Sequence, residues 1–423
     1  MKKSALIFAL TTALAGSACA TEGPVPTGIA PLDHVFVIMM ENQAYGQIMD
    51  NPNAPFINQY AKDANLATNY FGVGHPSLTN YLEIVGGANF GVQSDHSPDW
   101  HAGCTPNIMS GVIDDEHAAH PNVCPIYGEG TDAATPAQDT TNEASWAGVL
   151  NNIDGVKSVA AAKTTGKSIA DQLVAAGRTW KSYQEDLPPV GADGINYSDG
   201  LYTNKTDFST IQPTMDPALS QADVVQLYAV KHNPFVYFRS VQEGEYPGLS
   251  LKNTVGFDGP RGLYADLRAG KVPAFSFIAP NQCNDQHGRG NAGHLCDYNP
   301  KSDGSPDGVN PALIQRGDAT VEKLVDAIHS SKVWREGHNA IILVWDENDY
   351  SSVPNINQVV TIVDTNYGTK GTTSNVYYNH FALLKTLEAG FQLPCLNHAC
   401  DKDVPVMRDL FARGRRSEGF WRR

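Results

Sequence analysis

The stretch HVFVIMMENQAY, residues 34–45, begins with a continuous apolar run and then changes abruptly to Glu41 and Asn42. An apolar run without alternation indicates a strand that is buried on both faces, as in a parallel sheet. Further strand-like runs lie at 235–238, 274–278 and 340–345, and stretches with helical periodicity lie at 168–176, 318–330 and 381–389. This alternation predicts an α/β fold, a three-layer α/β/α sandwich with a mostly parallel central sheet.

Polar clusters follow three of these runs, at the sheet edge where α/β proteins bind ligands. The clusters are Glu41 and Asn42; Asn281, Asn284, Asp285 and His287; and Asp346 and Glu347. Carboxylates that meet at one edge repel each other unless a cation lies between them. Because carboxylate and amide oxygens are hard ligands, the clusters predict a divalent metal site.

A serine lies at the start of a predicted helix in YFGVGHPSLTNYLEIVGG, residues 70–87. From Ser77 onward the apolar residues have helical spacing, and a helix N-terminus suits a phosphate or another oxyanion. Serine is also a common N-cap, which is the alternative explanation. Because a divalent ion would lower the pKa of its hydroxyl, we predict that Ser77 is a nucleophile.

Five stretches together resemble one known family, in order, from about residue 31 to residue 411. They are HVFVIMMENQAY, HPSLTNYLEIVGG, FIAPNQCNDQHG, VWDEND and YYNHFALLKTLEAGF. In combination they resemble the bacterial phosphoesterase family of phospholipases C and acid phosphatases, within the alkaline-phosphatase-like superfamily. The resemblance implies an alkaline-phosphatase-like sandwich in which the metal ligands are Glu41, Asn42, Asp346 and Glu347. Zinc fits the superfamily best, while calcium, magnesium and manganese also suit oxygen ligands.

The resemblance also implies roles for residues around the metal. Nucleotide phosphodiesterases of the same superfamily have their nucleophile at the position of Ser77 rather than Thr79. The implied phosphate contacts are Asn80, Asp285, His287 and His380. His232, in KHNPFVYF, matches a family position without an implied role, and for His75 we favour a structural role.

The function predicted from this resemblance is a metal-dependent phosphoesterase that works through a phospho-serine. The stretch GHPSLTNYLEIVGG favours a phospholipase C acting on phosphatidylcholine-like lipids, with a non-specific acid phosphatase as the alternative. A non-catalytic protein that binds phosphorylated ligands through the metal is a further hypothesis. A sulfatase is disfavoured because the Cys-x-Pro-x-Arg stretch of such enzymes is absent.

The N-terminus and the cysteines predict an exported protein. Residues 1–20 have a basic start, an apolar stretch too short to span a bilayer and a small-residue cleavage site, which predicts a secretory signal peptide. Without Cys19, an even number of cysteines remains, which in an exported chain indicates disulfides. Many pairings are open, and short separations favour 104–124, 283–296 and 395–400. Periplasm and medium are equally compatible destinations.

One phosphoesterase domain is predicted over residues 21–423, with loop-rich insertions at about 94–143, 186–225 and 291–317. The stretch AAKTTGKS, residues 161–168, is similar to a phosphate-binding loop but has Ala161 in place of the first glycine. We therefore interpret it as the cap of a helix that begins at Ser168.

The overall charge limits the classes of partner. The chain has 45 acidic and 30 basic residues and a formal net charge of −15, which disfavours binding to nucleic acid. After the signal peptide no segment has the roughly 18 consecutive apolar residues of a membrane span, so at most peripheral membrane contact is predicted. The acidic balance favours a zwitterionic phospholipid or a small phosphate ester as the substrate. The oligomeric state is not indicated.

Overall fold

The computed structural model describes residues 22–90, 166–187, 227–244, 246–288, 296, 308–348 and 357–411, together with three two-residue strands outside these ranges. The strands are β1 His34–Met40, β2 Asn65–Ala67, β3 Tyr70–Phe71, β4 Gly74–His75, β5 Thr105–Pro106, β6 Val123–Cys124, β7 Asn151–Asn152, β8 Trp180–Gln184, β9 Thr254–Val255, β10 Phe275–Ala279, β11 Asn339–Trp345, β12 Thr361–Thr365, β13 Thr373–Ser374 and β14 Tyr378–Asn379. The α-helices are α1 Tyr45–Ile48, α2 Pro55–Asp63, α3 Ser77–Gly86, α4 Ile169–Ala175, α5 Arg239–Glu243, α6 Leu263–Ala269, α7 Pro311–Ser330 and α8 His380–Phe391. Short 3-10 segments lie at Val230–His232, Pro234–Tyr237, Leu251–Asn253, Val333–Arg335 and Asn397–Cys400.

A large sheet forms the centre of the molecule, with the strand order β13-β2-β12-β11-β1-β10-β8-β9. Its neighbouring strands are parallel except where β12 pairs with β11 and with β2. Strand β1 is completely apolar after His34 and lies between β10 and β11, so its side chains are buried on both faces. The carboxyl ends of these three parallel strands therefore meet at one edge.

Helices cover both faces of this sheet. On one face, Phe275 of β10 contacts Phe391 of α8, with ring centroids 6.3 Å apart. Asp364 of β12 is aligned across the sheet with Ser276 of β10, the residue after Phe275. Because successive residues of a strand point to opposite faces, Asp364 points to the face opposite to Phe275. There it accepts a hydrogen bond from Tyr60 of α2. The predicted three-layer α/β/α sandwich with a mostly parallel sheet is confirmed.

Most predicted elements agree with the structure, and one is wrong. The apolar runs at 34–40, 274–278 and 340–345 correspond to β1, β10 and β11. The predicted strand at 235–238 is instead the 3-10 segment Pro234–Tyr237. Proline fixes φ and lacks a backbone N–H, and Phe235 packs against Phe277 of β10, so this apolar run covers the sheet instead of joining it.

The helix predicted after AAKTTGKS is also confirmed. Helix α4 begins at Ile169, and the Asp171 carboxylate accepts hydrogen bonds from the backbone N–H and the hydroxyl of Ser168. This arrangement is a capping box, so the serine serves the helix start.

Two predicted disulfides are present, Cys283–Cys296 and Cys395–Cys400, each with a Cα–Cα distance of 5.1 Å. The third predicted pair, 104–124, is not tested because Cys104 lies outside the described residues, and the signal peptide at 1–20 lies outside them too. Much of each predicted insertion does so too, although residues 311–317 form the first turns of α7. Within the described ranges, no helix has the length and apolar character that crossing a membrane requires.

Asp318 of α7 holds the N-terminus of α2. Its carboxylate accepts hydrogen bonds from the backbone N–H groups of Ile57 at 2.8 Å and Phe56 at 3.1 Å, which have no partner within the helix. We expect Asp318→Ala to lower the free energy of unfolding by about 1–2 kcal/mol, as measured by urea denaturation. Asp326→Ala, which removes an exposed carboxylate of the same helix, is the matched control. Equal stability of the two variants would contradict this role.

Candidate active site

The ends of β1, β10 and β11 bring three carboxylates together. The backbone N–H of Glu41 donates to the Asp285 carbonyl at 2.9 Å, and that of Asp346 donates to the Met40 carbonyl at 3.1 Å. These bonds fix the residues that follow the strands side by side. Glu41, Asp285 and Asp346 are each at most 1% exposed. The structure thus brings together the carboxylates that follow the three strands, whereas Asn281 and Asn284 of the predicted cluster contact Glu185, Asp186 and Arg316.

Ser77, the first residue of α3, points into this cluster and is 1% exposed. Its Oγ lies 3.0 Å from Glu347 Oε1, 3.2 Å from Glu41 Oε2 and 3.4 Å from Asn42 Oδ1. A hydroxyl has one proton and can donate to only one of these three acceptors at a time. The predicted nucleophile and three of the predicted metal ligands thus share one small volume.

Asn80 and His75 hold Glu347 in place. Asn80 Nδ2 donates to Glu347 Oε2 at 2.9 Å and to the Gly74 carbonyl at 2.8 Å. Its Oδ1 accepts from the backbone N–H groups of Val73 and Gly74, so the amide is fully used. His75 Nδ1 lies 2.7 Å from the same Glu347 oxygen. Both residues position a carboxylate, and the phosphate contact of Asn80 stays a prediction.

His232 connects two of the buried carboxylates. Its Nε2 lies 3.0 Å from Glu41 Oε1, and its Nδ1 lies 3.2 Å from Asp285 Oδ2. The ring stacks on Tyr81 of α3, with centroids 5.3 Å apart and an interplanar angle of 7°. Burial holds the pKa of His232 well below its ordinary value. His232 has no role implied by the sequence, and the structure places its ring within 3.2 Å of both Glu41 and Asp285.

The carboxylates raise each other's pKa. Burial is the largest cause for Glu41, Asp285 and Asp346, and it raises the pKa of each well above its ordinary value. Repulsion between the carboxylates raises these pKa values further. Asp346 raises the pKa of Glu41, Glu41 raises that of Asp285, and Glu347 raises that of Asp346. Among the described residues, Asp346 Oδ2 finds no hydrogen-bond partner. The cluster is therefore costly to ionise in the absence of a cation.

A divalent cation fits this set of donors. The side-chain oxygens of the predicted ligands Glu41, Asn42, Asp346 and Glu347 are suitable donors for such an ion. Asp346 Oδ2, which is buried without a hydrogen-bond partner, could be satisfied by a cation. In the described part of the chain, no three His, Cys, Asp or Glu side chains are already arranged as a cation site. The fit thus rests on the chemistry and burial of the donors.

The other two predicted histidines lie on different sides of the cluster. His287 is half-buried, and its backbone N–H donates to Asp285 Oδ1 at 2.7 Å. His380 begins α8, where Nε2 lies 2.6 Å from the Asp346 carbonyl oxygen and Nδ1 lies 3.0 Å from the Tyr70 hydroxyl. Burial lowers the pKa of His380 to about 4. His380 thus supports the backbone of Asp346, and its phosphate contact stays a prediction.

Two further residues complete the site without having been predicted. Lys231, in the 3-10 segment before His232, places Nζ 3.4 Å from Ser77 Oγ. Asn357 joins two loops of the site, because its Oδ1 accepts from the Asn348 N–H at 2.7 Å and its Nδ2 donates to the Gly74 carbonyl at 3.0 Å. The only sequence signal for Lys231 was its position beside His232 in KHNPF.

Known proteins resemble this chain along most of its length. A family model described as Phosphoesterase family matches residues 47–296. The chain is 25% identical over 394 residues to the phosphatidylinositol-3-phosphatase of Mycobacterium tuberculosis, covering 92% of this chain and 86% of that protein.

Fungal relatives are longer than this chain. It is 23% identical over 341 residues to the phosphate-repressible acid phosphatase of Penicillium chrysogenum, covering 80% of this chain and 55% of that protein. A probable acid phosphatase of Kluyveromyces lactis is 23% identical over 379 residues, covering 89% and 62%. The chain therefore spans less than two thirds of each of these two fungal proteins. Among solved structures, a protein in the alkaline phosphatase superfamily from Vibrio parahaemolyticus has a TM-score of 0.42 at 10% identity, covering 93% of this chain and 72% of that one.

Proposed function

The chain belongs to the Phosphoesterase family and is a hydrolase of phosphoric esters, and on that premise we propose that it is a metal-dependent phosphatase whose nucleophile is Ser77. The observation that carries this proposal is the position of the Ser77 hydroxyl. It lies on the first turn of α3 and within 3.4 Å of Glu41, Asn42 and Glu347. The partial positive charge of a helix N-terminus favours a phosphate at the same place.

The reaction has two displacements at phosphorus. In the first, Ser77 Oγ gives its proton to a neighbouring carboxylate and forms a bond to phosphorus, the bond between phosphorus and the ester oxygen breaks, and the same proton passes to that oxygen, which leaves as an alcohol. In the second, water attacks the phospho-serine and inorganic phosphate leaves, which restores the Ser77 hydroxyl. Ser77 is 1% exposed, so the fixed charges around it act in a low dielectric.

The metal is the cofactor of this proposal. A divalent ion held by Glu41, Asn42, Asp346 and Glu347 would lower the pKa of the Ser77 hydroxyl and offset the charge of the carboxylates. Zinc is the first choice, and calcium, magnesium and manganese suit the same oxygen donors. Three neighbouring side chains would position these ligands. His75 and Asn80 contact Glu347, and His232 contacts Glu41.

The relatives put a phosphatase ahead of a phospholipase C. The mycobacterial protein is named a phosphatidylinositol-3-phosphatase and the two fungal proteins are named acid phosphatases. We therefore propose a phosphate monoester as the substrate, on a lipid or on a small molecule. Cleavage of a phosphatidylcholine-like lipid stays a prediction from the sequence. Export after removal of residues 1–20 is part of the proposal and is supported by the two disulfides.

Side-by-side assays test this assignment. The mature protein is stripped of metal, then given zinc, calcium, magnesium or manganese, and assayed on p-nitrophenyl phosphate and on p-nitrophenyl phosphorylcholine. We expect kcat/KM for the monoester to exceed that for the diester by at least about tenfold, with turnover lost on chelation. Faster cleavage of the diester would instead support a phospholipase C. If no metal restores turnover of either ester, a protein that only binds phosphorylated ligands becomes the better assignment.

A further inference from the structure

A half-buried lysine reaches the atom that we propose as the nucleophile. Lys231 lies in the 3-10 segment Val230–His232, which packs beside α3. Its Nζ is 3.4 Å from Ser77 Oγ and 3.3 Å from His287 Nε2. The ammonium also lowers the pKa of Glu41, Asp285 and Asp346, although burial and repulsion outweigh it. Lys231 is thus part of the electrostatics of the site.

His287 fixes the direction of this ammonium. Its Nδ1 lies 2.7 Å from the Gly288 carbonyl oxygen, which can only accept a hydrogen bond, so Nδ1 carries a proton. The other nitrogen, Nε2, then faces the Lys231 ammonium with its lone pair. The Asp285 carboxylate holds the backbone N–H of His287 at 2.7 Å. Lys231 Nζ therefore contacts both the serine hydroxyl and an accepting nitrogen of His287.

A phosphoryl group on Ser77 would meet Lys231 directly. When phosphorus bonds to Oγ, its three other oxygens surround that atom, and a cation 3.4 Å from Oγ lies within hydrogen-bond reach of one of them. The side chains nearest to Ser77 on the other sides are Glu41, Asn42 and Glu347, which are acceptors. Lys231 is thus the protein cation placed for a non-bridging oxygen, among the residues that the structure describes.

This position distinguishes two kinds of phosphate ester. A monoester is a dianion whose non-bridging oxygens share two charges, whereas a diester is a monoanion with one of these oxygens esterified. A charged hydrogen bond from an ammonium gains more from the dianion, particularly in a buried site. We propose that Lys231, positioned by His287, binds the substrate phosphate and selects dianionic monoesters over diesters. This inference rests on the proposed function of Ser77.

Variants of Lys231 test the inference through a ratio of activities. We compare wild type, Lys231→Met, Lys231→Arg and Lys332→Met, the last removing an exposed lysine as the matched control. The two substrates are p-nitrophenyl phosphate and p-nitrophenyl phosphorylcholine. For Lys231→Met we expect kcat/KM to fall about 10- to 100-fold on the monoester and less than about threefold on the diester. Lys231→Arg should keep much of the preference, and inhibition by inorganic phosphate should weaken in parallel with the loss.

The outcomes separate this inference from the proposed function. If the Lys231→Met variant loses monoester and diester turnover equally, or keeps the wild-type ratio, the inference is overturned while the phosphatase stands. If wild type hydrolyses neither ester with any metal, it is the proposed function that has failed. Should Lys231→Met not fold, His287→Gln provides the same test, because it removes the group that directs the ammonium. An unchanged monoester-to-diester ratio in a folded His287→Gln variant would overturn the inference as well.

Discussion

Ser77→Ala lowers kcat for a phosphate monoester by at least about 10³-fold, because it removes the hydroxyl that attacks phosphorus. The hydroxyl of Thr79, two residues along α3, is committed elsewhere: Oγ1 donates to the Pro76 carbonyl at 2.7 Å. The loss should appear in kcat with the binding of inorganic phosphate retained. Steady-state assays and phosphate inhibition of the same variant measure the two quantities.

A matched control comes from the same helix. Thr79→Ala removes a buried hydroxyl that the carboxylates do not contact, so we expect near wild-type turnover and a stability loss of about 1 kcal/mol. Acid quenching during turnover, followed by mass spectrometry of the peptide around Ser77, should detect a phosphoryl group on wild type and on Thr79→Ala only. A Ser77→Ala variant that still turns over the ester would contradict the phospho-serine route.

Long apolar runs made the centre of the fold predictable. Strands β1, β10 and β11 are buried on both faces, and a continuous apolar run is the sequence pattern that such strands require. The polar residues after these strands could be assigned to one site because parallel strands end at a common edge. The family resemblance implied which of them are metal ligands and which residue is the nucleophile; the match over residues 47–296 shows the family, and these roles stay predictions.

Other parts depended on tertiary contacts that no local pattern carries. Strand β8 includes Lys181 and Gln184, so it lacks the apolar run that marked the other parallel strands. Phe235 has the apolar neighbours of a strand, yet Pro234 removes a donor and the segment packs on the sheet face. Lys231 lies in a 3-10 segment rather than after a strand of the sheet. The rule that placed the other site residues at the strand ends therefore could not locate it.

The roles of residues were harder to predict than their presence. His75 was interpreted as structural, and its contact with Glu347 makes it a support for a predicted metal ligand. Asn80 was predicted to hold phosphate, while in the structure its four hydrogen-bonding capacities are used by Glu347 and by the loop before Ser77. Such distinctions depend on differences in distance of about an ångström, which spacing along a chain does not encode.

Asp346→Asn should stabilise the metal-free protein while removing its response to metal. Burial and the neighbouring Glu347 raise the pKa of Asp346, so its carboxyl binds more protons in the folded than in the unfolded protein. The same holds for Glu41 and Asp285. The free energy of unfolding of the chelated wild type should therefore fall as the pH rises from the ordinary carboxyl range toward these raised values.

Metal reverses that dependence, because a cation binds the deprotonated ligands and its stabilisation grows with pH. At a free metal concentration of about 100 times Kd, it adds about 2.7 kcal/mol to the free energy of unfolding. In Asp346→Asn one buried charge is gone, while the amide oxygen can still accept the Asn42 N–H that Oδ1 now accepts at 3.2 Å. We expect the chelated variant to be about 1–3 kcal/mol more stable than the chelated wild type at pH 8, and the two to converge as the pH falls to the ordinary carboxyl range, about pH 4.

Thermal and urea unfolding at about pH 4 and at pH 8, each with a chelator and with zinc, measure these differences. The control is Asp326→Asn, an exposed carboxylate of α7 that should follow wild type in all conditions. The variant should also lose phosphatase activity by at least about 10²-fold, since fewer oxygens remain to hold the ion. A chelated Asp346→Asn protein that is less stable than wild type at pH 8 would show that Asp346 is chiefly a structural acceptor. Gain of stability together with loss of activity is the result expected of a carboxylate kept for chemistry at a cost to the fold.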